Sequence, residues 1–214
     1  MKIPVAPFNR LVVTLDKKLY DTVTFESGVT LHIDPTWHPE EFSMLKATVV
    51  SVPKGISARH DYKDLTCDIK PGDEILVRYD LVFHYSSQPD RDSPVYRNMF
   101  LMHDENTQTL HEYWMCDIQK VFGVFTKDWI EMKNGYVYLM PIKKERSLPS
   151  KLILLPDELI ERNSLNVAKI AAIQAGDFKQ NDVVYFNPDI VQKYSVDQSV
   201  FWIVKRSHIL AKNH

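Results

Sequence analysis

The sequence predicts an all-β protein of two tandem β domains, and three observations carry that expectation. β-Branched and aromatic residues dominate nearly every apolar run, so strand alternation is easy to find and helical periodicity is hard to sustain. One order of motifs occurs twice: an aliphatic strand, a break, a Lys-x-x-Asp turn that opens a second strand, and a closing strand. Between the copies stands Asn134-Gly135, the strongest hairpin-turn dipeptide in the chain, because both positions tolerate positive φ. A repeat of this period is the signature of duplicated supersecondary units.

The elements follow in order. After a Pro7-Phe8-Asn9-Arg10 lead-in, Leu11-Val12-Val13-Thr14-Leu15 is the first strand. Copy one continues with Ala47-Thr48-Val49-Val50-Ser51-Val52, then Lys70-Pro71-Gly72-Asp73-Glu74-Ile75-Leu76-Val77, then Tyr113-Trp114-Met115-Cys116-Asp117-Ile118. Val121 to Phe125 and Trp129 to Met132 are two further strands, and the Asn134-Gly135 turn is expected to pair the latter directly with Tyr136 to Ile142. That turn sets the expected domains at residues 1–133 and 134–214. Copy two reads Ala168-Lys169-Ile170-Ala171-Ala172-Ile173, then Lys179-Gln180-Asn181-Asp182-Val183-Val184-Tyr185-Phe186, then Phe201-Trp202-Ile203-Val204 and Ser207-His208-Ile209-Leu210. Asp157 to Arg162, behind Pro156, is the one candidate helical turn. Residues 32–45, 53–69 and 86–98 are polar and proline-bearing and are expected to be loops; copy two keeps only Gln174 to Phe178 between its first two repeat strands.

Composition narrows the function classes. A chain of 214 residues with 44% hydrophobic content can bury a core as one large or two small domains. Its net charge of -2 offers no bulk attraction for nucleic acid or an anionic membrane, so neither is expected as a partner. Cys67 and Cys116 are the only cysteines, too few for a disulfide framework, and reduced buried thiols are expected. Pro4 and Pro7 interrupt the first ten residues and no later apolar run has bilayer length, which points to a cytoplasmic protein. The nucleotide, hydrolase and metalloprotease motifs are absent and the eight histidines are scattered, so no enzyme activity, cofactor or metal is expected. Tyr113-Trp114 and Phe201-Trp202 are reminiscent of base-stacking platforms, yet strand alternation turns one of each pair inward.

In family order, Pro7 to Val13, Gly28-Val29-Thr30-Leu31, the strand Ala47 to Val52, Lys70 to Val77 and Asp117-Ile118 resemble the GroES-type co-chaperonin family. Tyr136 to Ala211 resembles it a second time. The sharpest match is Lys151-Leu152-Ile153-Leu154-Leu155-Pro156-Asp157, which stands where the family has its Gly-Gly-Ile-Val-Leu-Pro-Asp mobile-loop motif. The resemblance implies two tandem GroES-like partly open β-barrels, a homo-oligomeric ring, and an aliphatic tripeptide that docks on the apical domains of a GroEL-type chaperonin. The tripeptide falls on Ile153, Leu154 and Leu155 in copy two and on Val29, Thr30 and Leu31 in copy one. Two departures matter: Thr30 puts a hydroxyl at the central anchor, and Lys151-Leu152 replaces the paired glycines and stiffens that loop. The family's roof hairpin corresponds to the 53–69 insert of copy one; copy two has no equivalent.

Physical chemistry gives the second segment a binding role of its own. Leu152 to Leu155 is flanked by Lys143-Lys144-Glu145-Arg146 and by Asp157-Glu158, so four aliphatics sit in a charged, loop-like setting. Burying three of them on a partner yields about 1.5 to 3 kcal/mol each before ordering costs. The same run also fits an ordinary buried strand of the second domain. A second function class keeps the fold without the docking: a non-catalytic structural or assembly protein that has lost chaperonin binding. The altered first segment favours that class and the near-intact second opposes it. The zinc alcohol dehydrogenases share the barrel, but they need clustered cysteine ligands and a Rossmann half, and this chain offers neither.

Overall fold

The computed structural model describes residues 3–16, 22–24, 27–32, 45–57, 65, 68–82, 98–104, 107–127, 129–142, 167–174, 176–187, 191–196 and 199–212. The expected helical turn at 157–162, the segment 151–157, and nearly all of the 32–45 and 86–98 loops lie outside them.

The described residues are all-β. The strands are β1 (Arg10–Leu15), β2 (Thr22–Thr24), β3 (Thr30–His32), β4 (Leu45–Ser51), β5 (Glu74–Val77), β6 (Met99–Asp104), β7 (Thr109–Asp117), β8 (Val121–Phe125), β9 (Ile130–Met132), β10 (Tyr136–Pro141), β11 (Val167–Ile173), β12 (Val183–Phe186), β13 (Gln192–Val196), β14 (Ser199–Lys205) and β15 (Ile209–Lys212). They form two main antiparallel sheets, in the orders β6-β7-β1-β4-β5-β8-β9 and β13-β14-β10-β11-β12-β15, and a separate β2-β3 pair. Among the described residues both main sheets are open, and neither closes into a barrel. The chain divides into two compact units, Met1–Asn134 with Tyr194–Val200, and Gly135–Lys193 with Phe201–His214.

In the first unit, β1 is buried on both faces, which its continuous Leu11-Val12-Val13 run requires. Leu11 and Val13 join Ala47, Val49, Ile75, Val77 and Trp114 in the main core. Val12 faces the other way, onto Ala6 and Tyr113, with Phe100 stacked on Tyr113 at 5.7 Å. Trp114 and Tyr113 therefore both end up buried, because the lead-in segment at Ala6 helps cover the face that alternation assigned to solvent. In the second unit, Val137, Leu139, Ala168, Ile170, Val184 and Phe186 make the equivalent core, with Trp202 packed edge-on against Phe186.

The repeated motifs fold alike down to single hydrogen bonds. In the first unit the Asp73 carboxylate accepts the Lys70 N–H, Asp73 N–H donates back to Lys70 O, and Gly72 N–H donates to Val49 O. In the second, Asp182, Lys179, Asn181 and Ile170 make the same three bonds. Gly72 and Asn181 both take positive φ, at 93° and 71°, the conformation the turn demands of that position. A 3-10 turn follows β7 and another follows β14, at Ile118–Lys120 and Arg206–His208. The first N–H of each donates to a positive-φ residue ahead of the unit's first long strand, Asn9 in one case and Gly135 in the other.

One expectation is corrected. Asn134 and Gly135 do take positive φ, at 55° and 70°, but they do not make a hairpin. Among the described residues β9 pairs with β8, while β10 pairs with β11 and β14. The reason lies in the turn's own hydrogen bonds. Asn134 Nδ2 donates to the carbonyls of Ile118 (2.7 Å) and Val121 (2.9 Å), and Lys133 N–H donates to Phe122 O. Gly135 O accepts from Arg206 N–H instead. The dipeptide is a crossover from one sheet to the other. Four strands also appear that the motif order did not include: β2 and β3, which pair with each other, and β6 and β13, each the first arm of a hairpin with the strand that follows.

Candidate docking hairpin

Thr30 and Leu31 lie on β3 of the β2-β3 pair and Val29 directly precedes it; among the described residues this pair forms no ladder with either main sheet. Its register sets Thr22 opposite His32, Val23 opposite Leu31 and Thr24 opposite Thr30. Gly28 leads into β3 with φ at 80°, a conformation that favours glycine, and the space around it is open. Val29 is 54% exposed and Leu31 51% exposed, and Thr30 and His32 are exposed as well.

Extended backbone alternates its side chains, so within β3 Thr30 and His32 project to one side and Leu31 to the other, while Val29 stands just ahead of the strand. Val29 and Leu31 are both about half exposed, so two aliphatics meet solvent within three residues. A two-stranded pair is marginally stable in water by itself, so apolar side chains presented on one are poised to gain from cover.

Ile153, Leu154 and Leu155 lie outside the described residues. In the chain they fall between β10 and β11, just as Val29 to Leu31 fall between β1 and β4, and each of those strand pairs is the antiparallel neighbour at the centre of its sheet. Further exposed apolar groups, which the motif order did not single out, are Leu101 and Leu110 on the β6-β7 hairpin, and Ile3, Val5 and Phe8 in the lead-in. Leu110, Ile3, Val5 and Phe8 carry little sequence signal, since they stand in short stretches broken by polar residues or prolines, and Leu101 sits inside the apolar run Met99 to Met102.

Reactive chemistry does not collect anywhere among the described residues. No group of three or more His, Cys, Asp or Glu that could hold a metal ion occurs there. Cys116 is free and buried; burial pushes its thiol far up, and its Sγ donates to Asp117 O at 3.4 Å, the reverse of what a nucleophile needs. Lys133 is buried too, with its ammonium 2.6 Å from Asp68 and 2.8 Å from Glu131. Burial works against its charge, but those two hydrogen-bonded carboxylates outweigh burial and hold it above the ordinary lysine value. This is a structural tie between the end of the 53–69 insert and β9. No helix among the described residues is long and apolar enough to cross a membrane.

No protein-family model matches this chain, and no curated protein matches it.

Proposed function

We propose that the chain is a co-chaperonin-like protein, with two tandem GroES-like domains, that docks on a GroEL-type chaperonin through aliphatic segments and assists protein folding. Val29 and Leu31 are the anchors in the first domain, and Ile153, Leu154 and Leu155 in the second. The chain works as a homo-oligomeric ring in the cytoplasm, without enzymatic activity.

The observation that carries the reading is the exposure of Val29 and Leu31 at a strand pair separate from the main sheets. Soluble surfaces expose single aliphatics freely, but two within three residues of a small hairpin are bait of the right kind for an apolar groove. The repeated sheet order and repeated Lys-x-x-Asp turn support the tandem organisation. Burying the remaining half of each anchor is worth about 1 kcal/mol. A single chain thus binds weakly, and a ring binds tightly through effective concentration.

The mass of the native particle, alone and mixed with chaperonin plus nucleotide, tests the proposal. A ring-sized particle that joins the chaperonin is the expected result. A monomer that ignores it would support the non-catalytic assembly protein instead.

A further inference from the structure

Sheet edges invite pairing, and among the described residues two of the other three main-sheet edges carry protection against it. β9 has three residues. β15 ends on Lys212 and pairs with β12 through a bulged register. β6 has none of these devices. It is six residues long, Met-Phe-Leu-Met-His-Asp, without Lys, Arg, Pro or Gly, and it pairs with β7 in unbroken register from Met99↔Trp114 to Asp104↔Thr109. Its one carboxylate, Asp104, is buried at its end. Among the described residues no strand pairs with its outer side.

The hairpin surface is apolar where the edge is bare. Leu101 is 53% exposed and Leu110 is 64% exposed. Leu101 stands opposite Glu112 and Leu110 opposite His103, so the two leucines are diagonal neighbours on one face.

We propose that β6 is a self-association edge, at which the β6 of a second copy of this chain pairs antiparallel across a twofold axis. The occupant follows from the strand's own pattern. An isologous contact sets a strand against itself reversed, so its residues must tolerate one another across the dyad. A twofold at Leu101 sets Leu101 against its own counterpart, Phe100 against Met102 and Met99 against His103, and it brings no two like charges together. Leu101 and Leu110 from both copies then close into one apolar strip on a sheet that runs continuously through the dimer. This edge is independent of the docking hairpin and does not rest on the docking reading.

Sedimentation equilibrium of the full chain, wild type and Leu101→Lys, reads the association directly. The wild-type particle should double in mass at concentrations on the order of tens of micromolar, typical of a modest interface, whether the unit that pairs is a single chain or a ring. Leu101→Lys sets two ammonium groups face to face and should weaken association at least tenfold without lowering the melting temperature. A Leu101→Cys variant in a Cys67→Ser background supplies the geometric check, because directly opposed antiparallel residues lie within disulfide reach. Mild oxidation should cross-link it into a dimer. A wild-type particle whose mass does not double at these concentrations, a Leu101→Lys variant that associates as tightly as wild type, or Leu101→Cys thiols that fail to cross-link would each overturn the proposal.

Discussion

Asp182 repeats in the second sheet the turn closure that Asp73 makes in the first. Each carboxylate accepts the N–H three residues before it, at 2.8 Å from Lys179 and 2.7 Å from Lys70. Asp182 also accepts from the Lys212 ammonium at 2.8 Å, and that bond, with the Lys179 N–H second, holds its carboxyl below the ordinary aspartate value of 3.8. A depressed carboxyl contributes stability that is present above the ordinary value and is lost as pH falls through the folded one. Melting temperature of the second unit should therefore drop as pH falls below about 4, and Asp182→Asn should show a shallower drop from a lower start. Thermal melts from neutral pH to about pH 2.5 check this. In the first unit, Asp73→Ala removes one turn bond and should cost about 1 kcal/mol.

At the alkaline end the sign reverses. The ammonium of Lys133, held by Asp68 and Glu131, has a raised pKa, so its contribution is complete below the ordinary lysine value of 10.5 and is lost as pH rises through the folded one. Lys133→Met keeps the buried stem and removes the charge. The variant should melt below wild type at pH 7, and the gap should close as the pH is raised past that value. Melts in carbonate and phosphate buffers at rising pH measure it.

Two glycines separate close packing from slack. A Cβ on Gly123 would meet Glu131 O and Ile130 Cγ1, both at 2.8 Å, which is the backbone and stem of β9. On Gly176 it would meet only the guanidinium of Arg206, the far end of a flexible side chain that also pairs with Asp177. Gly123→Ala should cost about 1 to 3 kcal/mol by displacing β9, whereas Gly176→Ala should cost under about 1. Denaturant titration of both variants decides whether β8 and β9 pack as closely as described.

Much of the fold was legible because its signal is local. β1, β4, β5, β8 and β9 are short β-branched or aromatic runs, and the Lys-x-x-Asp turn announced itself through a proline and glycine in one copy and an asparagine in the other. β6 was not legible: it ends in His103-Asp104, and its hairpin turns through Gln108 at a φ of 56°, a residue that carries no turn signal. The junction misled for the opposite reason. Asn134-Gly135 has the hairpin chemistry, but the Asn134 amide is spent on Ile118 and Val121, partners no sequence reading could foresee. At the candidate site, Val29 and Leu31 were legible as aliphatics of a docking segment; that Leu31 sits on a strand, turned away from Thr30 and His32, was not.

The central claim is that Val29 and Leu31 are anchors for a chaperonin groove, and one measurement tests it most directly. Co-sedimentation of the full chain with a GroEL-type chaperonin and nucleotide is compared for wild type and for Val29→Ser/Leu31→Ser, with melting temperature taken on the same samples. Both side chains are half exposed, so the double variant should melt within a few degrees of wild type. Losing about 1 kcal/mol at each anchor in every subunit should nevertheless weaken co-sedimentation by tenfold or more. A wild type that never sediments with the chaperonin, or a double variant that binds as well as wild type, would contradict the account.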